Sequence, residues 1–187
     1  MGNVTLEHVE EIADFALQAT IRSLGQDEKG LVRSAMHAII SSTDLGNTRP
    51  CAVFDIIHNK CRGFVAVCAD TDFIDHTWPG PLDSLNPGKR QAWNVEIGNL
   101  VVGNVKSWLV RKGLPVEMSF PLGLNKPSET MAHSGLTHTV SRMFTTSSGR
   151  IAITISLRFG PDVTLTATSD AEAGQDQLDQ MFGSKAG

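Results

Sequence analysis

The sequence predicts an α+β fold, a mainly antiparallel β-sheet with two long α-helices packed on one face. Residues 6–24 and 88–112 repeat apolar side chains at the three-to-four-residue spacing of an amphipathic helix. Ile151, Ile153, Ile155 and Leu157 alternate with smaller or polar neighbours, which is the clearest strand signal in the chain. The remaining apolar runs are short, rich in Val, Ile and Thr, and separated by turn residues. The resulting order is helix, three strands, helix, strand, then two or three strands.

The first helix gathers Leu6, Val9, Ala13, Ala16, Leu17, Thr20 and Leu24 on one face. Thr5 is placed to cap it, Glu7, Glu10 and Glu11 suit the positive end of its dipole, and Gly25 stops it. Strands follow at 34–42, 51–58 and 61–70, although a short helix fits the first of these as well, because residues 35–40 lack clean alternation. A two-residue turn at Asn59-Lys60 pairs His58 with Cys61 and puts Cys51 directly across from Cys68. Residues 71–87, punctuated by Pro79, Gly80, Pro81 and Pro87, read as mostly loop, with room for one helical turn at 72–76. After the second helix come a strand at 114–120, a polar loop to about 137, and a hairpin of 138–146 with 150–159 turning at Ser147-Ser148-Gly149. A further strand fits 163–168; residues 1–168 then make one domain and 169–187 a flexible tail.

A chain of 187 residues with 41% hydrophobic content is long enough for a real core. Its formal charge is -4, and its 16 Lys and Arg are scattered, which argues against nucleic acid or an anionic membrane as partner. Neither a membrane-length apolar run nor a signal-like start at Met1-Gly2-Asn3-Val4-Thr5 is present, so the expectation is a soluble, cytoplasmic protein without membrane insertion. Cys51, Cys61 and Cys68 lack the Cys-x-x-Cys spacing of a zinc site or redox dithiol and are expected to be reduced. The six histidines show no metal spacing; even His133 and His138 are five apart in a polar stretch, so no metal of the protein's own is expected.

Function points to the second helix. At about 100° per residue, Ile97, Leu100, Val101, Val105, Trp108 and Leu109 fall toward the core, whereas Glu96, Asn99, Gly103 and Lys106 fall together outward. Gly98 and Gly103 lie inside this helix, where each glycine costs about 1 kcal/mol against alanine. Two readings account for that cost: close packing within the protein, or the approach of a partner to the Glu96/Asn99 face. Glu11-Ile12-Ala13-Asp14 in the first helix overlays Glu96-Ile97-Gly98-Asn99 in the same phase. The echo fits a faded duplication, and it also fits two helices that merely share a period. Asp14 offers carboxylate oxygens where Asn99 offers an amide donor, and Gln18 fills the place of Gly103.

At these residues the chain resembles the CheX branch of the CheC/CheX/FliY chemotaxis phosphatases, whose signature is a helix carrying Glu-x-x-Asn followed by a glycine. Here that is Glu96-Ile97-Gly98-Asn99-Leu100-Val101-Val102-Gly103. Thr20-Ile21-Arg22-Ser23-Leu24-Gly25 is similar to the end of the family's first helix, and Gly113-Leu114-Pro115-Val116 to its helix-to-strand exit. The resemblance covers some four fifths of the chain and implies a CheC/CheX-like fold. It further implies a phosphatase acting on the aspartyl phosphate of a CheY-like response regulator, with Asn99 positioning the attacking water and Glu96 meeting the regulator's active-site lysine. Gly103 and Lys106 would face the docked partner, and Glu11 and Asp14 would be an inactive second copy. Mg²⁺ would belong to the regulator, and a homodimer is expected. The alternative is a binding module that docks a regulator or flagellar-switch component without hydrolysis. Two departures stand out: the proline-broken 71–87, where the family has a substantial helix, and the lead-in Gln91-Ala92-Trp93-Asn94-Val95, whose Trp93 is either core or a partner contact.

Overall fold

Apolar alternation in the strand segments organises them into one sheet in the computed structural model, which describes residues 4–26, 32–36, 51–120, 122–124 and 138–165. In chain order the elements are α1 (Leu6–Ser23), β1 (Val32–Met36), β2 (Cys51–Ile57), β3 (Cys61–Ala69), α2 (Thr71–Thr77), a 3₁₀ turn (Leu82–Ser84), α3 (Pro87–Arg111), β4 (Glu117–Met118), β5 (Leu122–Leu124), β6 (His138–Thr146) and β7 (Gly149–Phe159). The strands run in the order β1-β6-β7-β3-β2-β4, with β5 also paired to β2, and each of these pairs is antiparallel.

The sequence periods explain the layers. Ala52, Phe54 and Ile56 of β2, Val65 and Val67 of β3, and Ile151, Ile153, Ile155 and Leu157 of β7 share one buried cluster with residues of α1 and α3. Successive strand side chains point to opposite sides, so these positions two apart form a single apolar surface for the helices. Val9, Ile12, Ala13, Ala16 and Leu17 come from α1, and Ile97, Val101, Val105 and Leu109 from α3. Asn104 Nδ2 donates to Thr20 Oγ1 at 3.1 Å, tying the two helices together. On the sheet's other side, Val53, Phe64 and Ala66 form a small buried group, and two hydroxyl pairs, Thr139–Ser156 and Ser141–Thr154, lie 2.7 and 2.8 Å apart.

Several expectations move. The segment 71–87 holds α2 and the 3₁₀ turn rather than mostly loop. Asp70 Oδ1 accepts from Phe73 N at 2.9 Å and caps α2, whose Phe73, Ile74 and Thr77 are buried; the prolines all lie beyond its end. The first strand runs from Val32 to Met36, and the remainder of its expected span lies outside the described residues. Only Glu117–Met118 of 114–120 pairs as strand, because the edge of β2 is shared with β5, a strand within the expected loop. Of the further strand expected at 163–168, Thr164 forms a bridge, and 166–168 and the expected tail lie outside the described residues. Cys61 is a free, buried thiol that burial pushes up to about 12. Cys68 is disulfide-bonded, against the expectation of reduced thiols. Cys51 stands directly across from it in the register expected from the hairpin. Among the described residues, no helix is long and apolar enough to cross a membrane.

Candidate functional site

α3 is positioned from its start by local chemistry. Asn86 Oδ1 accepts from Lys89 N at 3.0 Å, and Pro87 opens the first turn with a φ already suited to a helix. From Asn94 on, Ile97, Gly98, Val101, Val102, Val105, Trp108 and Leu109 form the buried seam. Glu96, Asn99, Gly103 and Lys106 are all exposed on the opposite side. Leu100, expected inward, is 38% exposed, because it sits only about 40° around the helix from Glu96. It adds an apolar side chain to the outward stripe.

The two interior glycines separate by environment. A Cβ on Gly98 would lie 2.8 Å from Phe54 Cε2 and 3.0 Å from the Ala52 Cβ, so this glycine lets the turn between Glu96 and Asn99 sit directly on β2. A Cβ on Gly103 would meet nothing within 4 Å. Packing therefore accounts for Gly98 and leaves Gly103 open on the outward face. The close-packing reading holds at Gly98 and does not extend to Gly103.

Glu96 and Asn99 touch each other, Asn99 Nδ2 donating to Glu96 Oε2 at 3.3 Å. One of the two Asn99 amide N–H donors is engaged in this bond, which leaves the second N–H and the carbonyl oxygen available beside the exposed carboxylate. The arrangement offers a carboxylate and an amide one helical turn apart on an exposed face. An open cleft of about 710 Å³ lies elsewhere, between α2 and the β6–β7 turn, lined by Asp70, Asp75, His76 and Arg150 among others. None of the outward α3 residues lines it. Among the described residues, no group of three or more His, Cys, Asp or Glu is placed to hold a metal ion.

The α1 copy differs in more than its residue types. Glu11 is exposed as expected, but Asp14 turns toward the sheet. Arg142 of β6, whose side chain is 9% exposed, places Nη2 2.9 Å from Glu10 Oε1 and Nε 3.4 Å from Asp14 Oδ1. A buried guanidinium draws in any carboxylate within reach, since its charge is costly without a partner. Sequence reading missed this use of Glu10 and Asp14. Its signal was an arginine at an inward position of an alternating strand, Val140-Ser141-Arg142-Met143-Phe144. It also missed the ties that α2 makes to α3 through Arg90 and Trp93.

No protein-family model matches the sequence, and no curated protein matches it. Solved structures do match. A CheC-like superfamily protein from Shewanella sp. PV-4 superposes with a TM-score of 0.61 at 13% identity, covering 83% of this chain and 99% of its own. The chain has a CheC/CheX-like fold. CheX from Vibrio vulnificus matches at a TM-score of 0.58 and 16% identity over 79% of this chain and 99% of that one. CheX in the CheX–CheY–BeF3–Mg complex of Borrelia burgdorferi matches at 0.59 and 14% over 82% and 99%. The fold expected from the Glu-x-x-Asn helix is thus the fold observed.

Proposed function

We propose that this CheC/CheX-like protein is a phosphatase for the aspartyl phosphate of a CheY-like response regulator, working through Glu96 and Asn99. The observation that carries the reading is the outward turn of α3: Glu96 and Asn99 exposed and in contact, with open space at Gly103 one turn further along. The likeness to a CheX solved together with CheY supports the choice of partner.

In the docked state, Glu96 meets the cationic lysine of the regulator's site, a charge-assisted contact that anchors the helix. That contact competes with the Asn99 amide for the carboxylate and frees the amide to face the phosphoryl group. Asn99 then accepts a hydrogen bond from a water and holds it in line with the bond to be broken. The water oxygen bonds to phosphorus, the bond between phosphorus and the aspartyl oxygen breaks, and the aspartate leaves as carboxylate. The water proton passes to the departing phosphate. Phosphoryl transfer asks mainly for such positioning and for charge neutralisation, the latter supplied by the regulator's own Mg²⁺. The protein works as a cytoplasmic homodimer in this reading.

An exposed helix face serves equally well for docking without hydrolysis, and Asn99 separates the two. The test mixes the protein with phosphorylated regulator and Mg²⁺ and follows loss of the phosphoryl group. Asn99→Ala is expected to bind within about threefold of wild type and to lose about two orders of magnitude in rate, the scale of a lost positioning group. Glu96→Ala is expected to weaken binding instead. Wild type that binds regulator without accelerating dephosphorylation would leave the docking-module reading, and an active Asn99→Ala would remove the assigned role.

A further inference from the structure

The N-terminal turns of α3 are poorly anchored by burial. Pro87, Gly88, Lys89, Gln91 and Ala92 are exposed, Arg90 and Trp93 are half-buried, and the first fully buried residue of the helix is Asn94. A helix end with a glycine at its second position and no apolar seam frays readily. Fraying here would bear on the candidate site, because the Glu96 N–H is bonded to the carbonyl four residues back, at Ala92. Unwinding as far as Trp93 releases the backbone of Glu96 itself.

Two ties from α2 secure this stretch. Arg90 donates two parallel hydrogen bonds to Asp75, Nε to Oδ1 at 2.7 Å and Nη2 to Oδ2 at 2.8 Å. Trp93 Nε1 donates to Thr77 Oγ1 at 3.0 Å, and that hydroxyl donates in turn to the carbonyl of Phe73 at 2.7 Å. Trp78 packs edge-on against Trp93 with ring centroids 5.9 Å apart. α2 is itself fixed to the sheet: Asp70 N donates to the Arg150 carbonyl at 2.8 Å, Arg150 Nε reaches Asp70 Oδ2 at 3.1 Å, and Phe73 is fully buried. A continuous set of contacts thus runs from the β6–β7 turn through α2 to residues 90 and 93 of α3.

We propose that α2 is a brace, and that Asp75 and Thr77 are positioning residues that keep the Glu96/Asn99 turn wound before any partner arrives. Its bearing on catalysis rests on the phosphatase reading above; the brace itself does not. The bidentate geometry fixes the direction of Arg90 as well as its distance, and the Trp93 bond fixes the helix's rotation one turn before Glu96.

Amide hydrogen exchange on the free full-length protein tests this, with Asp75→Ala combined with Thr77→Val, the valine keeping the shape of threonine without its hydroxyl. Amides of residues 91–97 are expected to exchange at least about tenfold faster, while those of 101–109 change less than about twofold. The reciprocal swap Asp75→Arg with Arg90→Asp is expected to recover much of the protection that Asp75→Ala alone loses. Unchanged exchange at 91–97, or an equal rise along the whole of α3, overturns the brace. If wild type dephosphorylates its regulator, the double variant is expected to lose about tenfold in kcat with little change in KM, and an unchanged kcat would overturn the positioning role. An inactive wild type would count against the phosphatase reading alone, since the exchange result still decides the brace.

Discussion

Gly103→Ala sets the stability of the helix against the needs of a partner. The position lies in the interior of α3, on its exposed side, and an added Cβ has no neighbour within 4 Å. Alanine therefore brings its full helix propensity without a clash, about 1 kcal/mol of stabilisation. For a chain of this length that raises the unfolding midpoint by about 2–4 °C. If the open space exists for a docked regulator, the same methyl stands one turn beyond Asn99 in the path of the incoming surface, and binding weakens by about tenfold or more. The assays are thermal unfolding of the free protein and titration against phosphorylated regulator. Gly98→Ala is the internal control: its Cβ meets Phe54, whose ring is 1% exposed and has little room to yield. Overpacking of about 1–3 kcal/mol there outweighs the gain in propensity and lowers the midpoint. A Gly103→Ala protein that is more stable and binds and dephosphorylates like wild type would refute the assignment of Gly103 to the partner. A less stable one would refute the open geometry itself.

Asp14→Ala is expected to cost less than about 1 kcal/mol and to leave dephosphorylation within twofold, because Glu10 still meets Arg142; urea unfolding and the rate assay check the two parts. Glu10→Ala with Asp14→Ala leaves the mostly buried guanidinium uncompensated and is expected to cost about 2 kcal/mol, less than a fully buried pair because both carboxylates are about a third exposed. Cys61 has an ordinary value of 9.0 raised to about 12, so the unfolded thiol ionises first. Its contribution to stability is full below pH 9 and is lost as pH rises toward about 12, and Cys61→Ala is expected to remove that part of the alkaline decline in unfolding experiments. Burial keeps the Cys61 thiol protonated in the folded protein at pH 8, so alkylation at this residue is expected to be slow until the protein is unfolded.

The features legible in the sequence are those fixed by a local period. The 25 residues of α3 give seven turns over which core and solvent sides separate, so the exposure of Glu96, Asn99, Gly103 and Lys106 could be read directly. A two-residue turn transmits its register along both strands, which is why Cys51 faces Cys68. Readings that weighed punctuation or context above period failed. Pro79, Pro81 and Pro87 suggested a mostly broken segment with one helical turn at 72–76, yet they follow α2, which is longer than that turn, is capped by Asp70 and buries Phe73, Ile74 and Thr77. The thiols were judged by expected compartment, whereas Cys68 is bonded where the register brings a second cysteine opposite it. Contacts between elements remote in sequence, such as Arg142 with Glu10 and Asp14, require the layer order of the sheet and helices, which no local period carries.

The two helices set their matching turns in different surroundings. Each seats an isoleucine that is fully buried, Ile12 in α1 and Ile97 in α3, followed by a buried small residue, Ala13 or Gly98. Their acidic groups then part. α1 crosses β6, where Arg142 reaches up and takes Glu10 and Asp14. α3 lies over β2 and β3, where Ala52 and Phe54 meet Gly98 and the contact beneath is apolar, so Glu96 turns outward and is met by Asn99 of its own helix. A partner cation that drew Glu96 away would give up one solvated hydrogen bond; one that drew Asp14 and Glu10 away would leave a buried charge behind. Restoring the amide with Asp14→Asn would therefore not by itself restore a second site, since the side chain would still sit beside Arg142.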